Sequence, residues 1–592
     1  MKKDKNSKRR KNEGVPYSIT EKIDRRKFLK RMGLAAGTAL FPSFHSPLTR
    51  AAEGKKFGER VPELVATFSS EEQIYGPDMW RKVSEDLAKI GLKVRLRPSS
   101  FSSLLDVVGT RTYGDLFSME QPIRPERVDP SEFLFSRAHS KQAVVGKQNF
   151  GNYINPEYDR LVDAQNMEPD LEKRRALVLK AQEELAKDYY MCVIGYPKII
   201  HAYNSEDWEG VVPMVGNGIA DTMFPWTYLN LKSKNGKKKV IIGAHRSILR
   251  SINILADTGL FRNHGRFIYD TFVKLDKDLN VIPWAAESWK KIDNKTWDIK
   301  LRPGMKWHDD KPVTTEDVVF TFDYLLKWKP PIFSLIYEPV EKVEVLDSSK
   351  GLVRFNLKRA YGSFLTIVMM IGFPLPKHIW ENIMEKQGVS DPTKVLVDKP
   401  IGSGFFKFGH YKRDQELLMV ANKEHFYPPK IDELLITMIP SVDGLMGRLE
   451  TKEIDFMIIK LTPSQANRLK KFKHISVVAT DDLGFLHITP LLTKGSWKDV
   501  ELRRALHHAI DKEFVVNTLW EGAGIVGRNT FIAPANKFWH NPNLPEVKFD
   551  LNKARRILEE AGYGWDKDGY LLYPDPNDPE YKKRIERVLA PR

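Results

Sequence analysis

The chain has 592 residues, 42% of them hydrophobic and 11% aromatic, which excludes a disordered or fibrous class and asks for more than one hydrophobic core. Its formal charge of +17 invites a nucleic-acid partner, yet residues 1–52 hold 14 Lys/Arg against 4 Asp/Glu, leaving +7 spread over the other 540, too dilute for a nucleic-acid surface. The lone Cys192, in the apolar setting Met191-Cys-Val-Ile194, excludes an internal disulfide and a cysteine-based metal site and reads as a buried thiol.

In chain order, the first signal is Asp24-Arg25-Arg26-Lys27-Phe28-Leu29-Lys30, followed by a short apolar segment over 32–41 and by Thr49-Arg50-Ala51-Ala52. With paired Arg25 and Arg26, a modest apolar region and small residues at its end, 1–52 resembles a twin-arginine export signal. The apolar segment is too short to span a bilayer, as is the run 364–373, which ends at Pro374. The resemblance implies a periplasmic or otherwise extracytoplasmic protein handled by the twin-arginine machinery.

Beyond the signal, strands and helices alternate. Residues 63–68 predict a strand, and 78–90 a helix with Trp80, Val83, Leu87 and Ile90 on one face and Gly91 just past its end. Residues 92–97 alternate apolar and basic, completing a β-α-β unit. A strand over 115–119 opens into the long loop Glu120-Gln-Pro-Ile-Arg-Pro-Glu-Arg-Val-Asp-Pro130. Asn155-Pro156 caps a helix with Tyr158, Leu161 and Val162 inward, and Asp170 caps another over 171–187. The Arg, Lys and Glu of that last helix read as a solvated face. Asn230-Leu-Lys-Ser-Lys-Asn-Gly-Lys-Lys-Lys239 has no apolar residue after Leu231 and reads as an exposed linker. Val240-Ile-Ile-Gly-Ala244 then looks like a buried strand at the start of a domain.

No pattern asks for catalysis. Gly522-Ala-Gly-Ile-Val-Gly527 has dinucleotide spacing but follows a helix instead of a strand, so it reads as a Gly-rich loop. His507 and His508 are adjacent on a helix, about 100° apart, and cannot hold one metal from one face. No Gly-x-Ser-x-Gly, His-Glu-x-x-His or Walker motif occurs. The expectation is a protein that is not an enzyme, with no catalytic residue, metal site or cofactor.

The motifs carry a resemblance. Asp129-Pro-Ser-Glu-Phe-Leu134, Asn152-Tyr-Ile-Asn-Pro-Glu-Tyr-Asp-Arg-Leu161, Glu172-Lys-Arg-Arg175 and Tyr203-Asn-Ser-Glu-Asp-Trp-Glu-Gly210 look like the C-terminal half of the peptide/nickel-type solute-binding proteins of ABC importers, family 5. Pro283-Trp-Ala-Ala-Glu-Ser-Trp289, Trp297-Asp-Ile-Lys-Leu-Arg-Pro-Gly-Met-Lys-Trp-His-Asp-Asp-Lys-Pro-Val313, Gly402-Ser-Gly-Phe-Phe406 and Lys553-Ala-Arg-Arg-Ile-Leu-Glu-Glu-Ala-Gly562 look like that family's N-terminal half, which here comes second. The order therefore resembles a circular permutation; a fusion of halves and an exchange of halves between chains are the alternatives.

The resemblance implies an α/β, two-lobe periplasmic-binding-protein type II fold with a hinge and an extra subdomain. One lobe would be split between 57–198 and 488–592. The other would be contiguous over 199–487, including the linker 230–239 and the extra subdomain. The hinges map near 485–489 and 196–202. The implied function is capture of a small, peptide-like or other solute and delivery to an ABC permease and its ATPase, by a monomer with no nucleic-acid partner. An oligosaccharide-binding member, or a sensor or periplasmic enzyme on the same scaffold, are the alternatives. In peptide-binding relatives a carboxylate shortly before an Asp-Pro pair receives the peptide's ammonium group. Here Glu126 stands at that place, flanked by Arg124 and Arg127, which fits pairing on a surface loop as well as it fits ligand binding. The expected ligand contacts are Met119, Glu120, Arg124 and Glu126, with Asp257, Thr258 and Gly259 across the cleft, and the expected ligand is not a generic peptide held by its free N-terminus.

Overall fold

The computed structural model describes residues 56–71, 75–220, 222–244, 251–256, 264–330, 333 and 336–586. Arg25 and Arg26 of the export signal, and Asp257, Thr258 and Gly259 of the expected cleft, lie outside the described residues.

Buried apolar side chains separate into two large cores. One is drawn from residues 61–196 and 485–571, both ends of the described chain. The other comes from 208–483, with Val128 as the single contributor from outside that range. A smaller cluster packs Ile200 and Ala202 against Leu445, Leu449 and Ile475.

In the first core, the parallel strands Leu64–Ser69 and Val94–Ser99 are joined by helix Pro77–Ala88, a β-α-β unit. The helix turns Met79, Trp80, Val83 and Leu87 inward, and Trp80 Nε1 donates to Ser118 Oγ at 2.8 Å. Gly91 turns the chain from this helix toward the second strand at φ +87°, where a Cβ would lie 2.7 Å from Trp565 Nε1, so only glycine fits both the turn and the packing. Strand Phe57–Arg60 pairs antiparallel with Leu571–Pro574, and the Val61 amide donates to Leu571 at 2.8 Å, so the two ends of the described chain share one edge of this lobe.

The second core carries a four-stranded antiparallel sheet, Ala286–Lys291, Thr296–Leu301, Leu352–Leu357 and Val340–Asp347, covered by helix Thr315–Trp328. A capping box between Thr314 and Asp317 starts that helix. The lysine-rich stretch is only partly an open linker: Leu231 is buried, Lys232–Ser233 pairs with Trp208–Glu209, and Lys237 reaches Asp207 at 2.5 Å.

The lobes are tied by strands. Cys192–Asn204 is 13 residues long, which gives it a reach of about 43 Å. Its first half pairs with Phe485–Pro490 and Gly524–Val526. Its second half pairs with Ile475–Asp481 and touches Phe456–Ile458. The same strand thus lies in a single 12-stranded sheet that runs from one core to the other. The Gly-rich stretch is therefore not only a loop, because Gly524–Val526 adds to this sheet.

Candidate functional site

Strand Leu116–Gln121 runs two residues beyond its expected end, since Glu120 and Gln121 pair with Leu486 and Phe485. This pairing sets Glu120 at the boundary between lobes. Lys460, which follows strand Phe456–Ile458, donates to Glu120 Oε1 at 2.9 Å and to Asp482 Oδ2 at 2.6 Å. Asp482 lies in the turn between Ile475–Asp481 and Phe485–Pro490, and its other oxygen accepts the amides of Leu483 at 2.7 Å and Gly484 at 3.0 Å. One ammonium thus joins a carboxylate of the split lobe to a carboxylate of the hinge turn. Burial works against the charge on Lys460, but Asp482 and Glu120 outweigh it and hold the ammonium well above the usual lysine range. The Lys460 side chain is 35% exposed, and an ammonium has three N–H donors, one more than the two carboxylates use.

Two buried histidines brace the hinge strands. His201 Nδ1 accepts the amides of Ile219 at 3.1 Å and Ala220 at 3.2 Å, which assigns the ring proton to Nε2. Gly218, at φ +67°, passes so close that a Cβ there would lie 2.4 Å from that nitrogen. The side-chain amide of Gln121 donates through Nε2 to His487 Nε2 at 3.2 Å, and Thr489 Oγ1 lies 2.8 Å from Nδ1. Burial, aided by the charge of Lys460 on His201 and of Arg137 on His487, holds both rings down to about 3, so both are neutral at physiological pH.

Of the expected contacts, Met119 is buried in a small core with Leu104, Val108, Phe117 and Leu491. Glu120 joins the bridge just described. Arg124 and Glu126 are half-buried in the loop, whose centre forms the short turn Pro125–Arg127. Arg127 donates to Pro122 at 2.7 Å and lies 5.3 Å over the Phe133 ring. Val128 inserts into the opposite core, and Asn536 donates to its carbonyl at 3.1 Å, so this loop engages both lobes. Lys460 and Asp482 were not among the expected site residues. The signal in the sequence is slight: one lysine closing the apolar run Phe456-Met-Ile-Ile-Lys460.

Arg174, assigned with its neighbours to a solvated helix face, is 1% exposed. Its guanidinium donates to both oxygens of the buried Asp129, at 2.9 Å and 2.5 Å, a pairing across 45 residues that helical periodicity alone does not reveal. His507 and His508 do diverge, to Asn529 and to the Lys548 carbonyl, and no cluster able to hold a metal occurs among the described residues. Two surface cavities, of about 80 Å³ beside Trp307 and about 430 Å³ beside Tyr324, lie within the 208–483 core region, away from the hinge.

The sequence profile of the bacterial extracellular solute-binding proteins, family 5 Middle, matches residues 280–589, more than half of the chain. The chain belongs to this family. Among curated family 5 relatives, it is 30% identical to the oligopeptide-binding protein AppA of Bacillus subtilis over 303 residues, covering 50% of this chain and 54% of AppA. It is 27% identical to the dipeptide-binding protein of Escherichia coli over 331 residues, covering 52% and 61%. The family 5 chain therefore spans little more than half the length of the curated relatives it matches. Among solved structures, NikZ from Campylobacter jejuni in complex with Ni(L-His) matches with a TM-score of 0.45 at 23% identity, over 60% of this chain and 71% of that one. AppA from Bacillus subtilis in complex with a nonapeptide matches with a TM-score of 0.42 at 25% identity, over 59% and 72%. No described helix of this family 5 member is long and apolar enough to cross a membrane.

Proposed function

We propose that this protein captures a small solute between its two lobes and delivers it to an ABC permease and its ATPase outside the cytoplasm, after export by the twin-arginine route. The observation that carries this reading is the hinge. Cys192–Asn204 and the run 475–490 pass from one core to the other, and the bridge Glu120–Lys460–Asp482 lies where they cross. Family membership and the absence of any catalytic constellation in the sequence support binding over catalysis. A micromolar solute supplies about −8 kcal/mol, enough to bias a two-state hinge if it touches both lobes.

The chain order is read as a circular permutation. Support comes from alignments that cover only 50% to 55% of this chain in the first relatives, and from the pairing of Phe57–Arg60 with Leu571–Pro574. The loop carrying Arg124 and Glu126 is read as a ligand contact, together with Asp257, Thr258 and Gly259, for a ligand other than a generic peptide held by its ammonium group. Calorimetry against di- to pentapeptides and against oligosaccharides tests the ligand class. Tight peptide binding abolished by Glu126→Gln would overturn it.

A further inference from the structure

The lobes also meet away from the hinge, where Val128 inserts into the second core and the contacts beside it are polar. On one side are helices Pro130–Ala138, Pro156–Met167 and Leu171–Lys187, which bury Phe133, Tyr158 and Val178 in the first core. On the other is the turn Phe364–Met369, which buries Phe364, Ile367 and Val368 in the second. Between them lies the pair Asp129–Arg174, where Asp129 also caps its helix through the Ser131 amide at 2.9 Å.

The second lobe supplies hydroxyls and backbone to this pair. Thr366 Oγ1 donates to Asp129 Oδ2 at 2.5 Å and Ser363 Oγ to Asp129 Oδ1 at 3.2 Å. Arg174 donates to Ser363 Oγ at 2.9 Å and to the Gly362 carbonyl at 3.3 Å, while the Gly362 amide donates to Asn166 at 2.7 Å. Ser131 and Ser363 share a further bond at 2.9 Å. Gly362 is fitted to this contact, because a Cβ would lie 2.3 Å from the Glu168 carbonyl and 2.9 Å from Arg174 Cδ.

The distribution of charge decides what such a contact can do. Both charged members belong to one lobe and remain paired with each other if the lobes separate. The partner lobe gives up only neutral groups that water can satisfy. Separation therefore strands no charge, which makes the contact reversible, unlike a buried salt bridge divided between lobes. The bonds gained on contact are charge-assisted and shielded from solvent, so they still favour the joined state.

We propose that Asp129, Arg174, Ser363 and Thr366 form a latch that sets solute affinity by stabilising the closed arrangement of the lobes from outside the hinge. This rests on the solute-capture reading for its purpose, but not for its test. The fraction of molecules already closed multiplies the apparent affinity, so positions remote from the cleft control it.

The test is ligand-free. Nitroxide labels at Lys180→Cys and Glu341→Cys, both exposed and one on each lobe, report the interlobe distance by electron double resonance, with the native Cys192 buried. Wild type is expected to show a measurable closed fraction. Ser363→Ala with Thr366→Val, which leaves the ion pair intact, is expected to raise the open-to-closed ratio at least tenfold, about 1.4 kcal/mol. Gly362→Ala acts on the same contact by sterics and is expected to do likewise, so the result does not depend on one variant folding. A wholly open wild type, or folded variants whose distance distributions overlay the wild type, would overturn the latch. If solute capture alone were wrong, the variants would still shift the distribution while no small molecule from the host did.

Discussion

Replacing Asp129 by Asn together with Arg174 by Met removes a charge pair that is buried on both sides, and its effect on stability has a pH signature. Burial by itself would raise the Asp129 carboxyl; the charge and hydrogen bonds of Arg174, with those of Thr366 and the Ser131 amide, more than offset this and hold it down to about 2, against 3.8 for an ordinary aspartate. A depressed folded value means that the unfolded chain takes up the proton first as pH falls. The contribution is therefore complete above about pH 4 and is lost as pH falls toward about 2, and nearly two pH units correspond to about 2 kcal/mol. Urea unfolding of wild type and the double variant, in steps from about pH 6 to about pH 2.5, measures the difference between them. That difference is expected to change by about 2 kcal/mol across the window, against the wild type. A constant difference would refute the assignment of this charge state. Asp129→Asn alone leaves a buried guanidinium without its partner and is expected to cost about 3–5 kcal/mol. A single variant more stable than the double one would contradict the account.

Three further outcomes follow from the hinge. Lys460→Met strips the counter-charge from Asp482 and Glu120 and removes the free donor, so solute affinity by calorimetry is expected to fall at least tenfold, about 1.4 kcal/mol, while an unchanged affinity would remove the bridge from the site. Gly218→Ala forces a side chain into a left-handed turn against His201 and is expected to lower stability by about 1–3 kcal/mol in denaturant titration; a neutral result would show that the turn relaxes freely. His201 and His487 should show no imidazole titration by NMR between about pH 8 and about pH 5, because their folded values lie near 3. Since the unfolded rings take up protons near the ordinary 6.5, these two groups make stability decline as pH falls from there toward about 3, and titration of either ring near 6.5 in the folded protein would refute their burial.

What the sequence made legible was local. Asn155 and Asp170 cap the helices expected of them, accepting the amides of Glu157 and Lys173, because a cap is decided within four residues. The β-α-β unit formed for the same reason, its periodicity and Gly91 being written in adjacent positions. What was missed was decided at a distance. The end of strand Leu116–Gln121 depends on Phe485 and Leu486, more than 360 residues away in the chain. Arg174 is buried because Asp129 lies opposite it, and Lys460 is bridged because Glu120 of the split lobe and Asp482 of the hinge turn converge on it. The motifs of the family indicated membership but carried no information on which charges would meet between the two cores.

The central claim, that a solute closes the two lobes, is tested most directly by small-angle scattering on one preparation in three states. Protein isolated from its own host is measured as purified, after partial unfolding and dialysis to strip small molecules, and after the concentrated dialysate is returned. The account predicts an expanded particle after stripping and recovery of the smaller dimensions when the dialysate is added back. Identical dimensions in all three states, with the protein folded throughout, would contradict it.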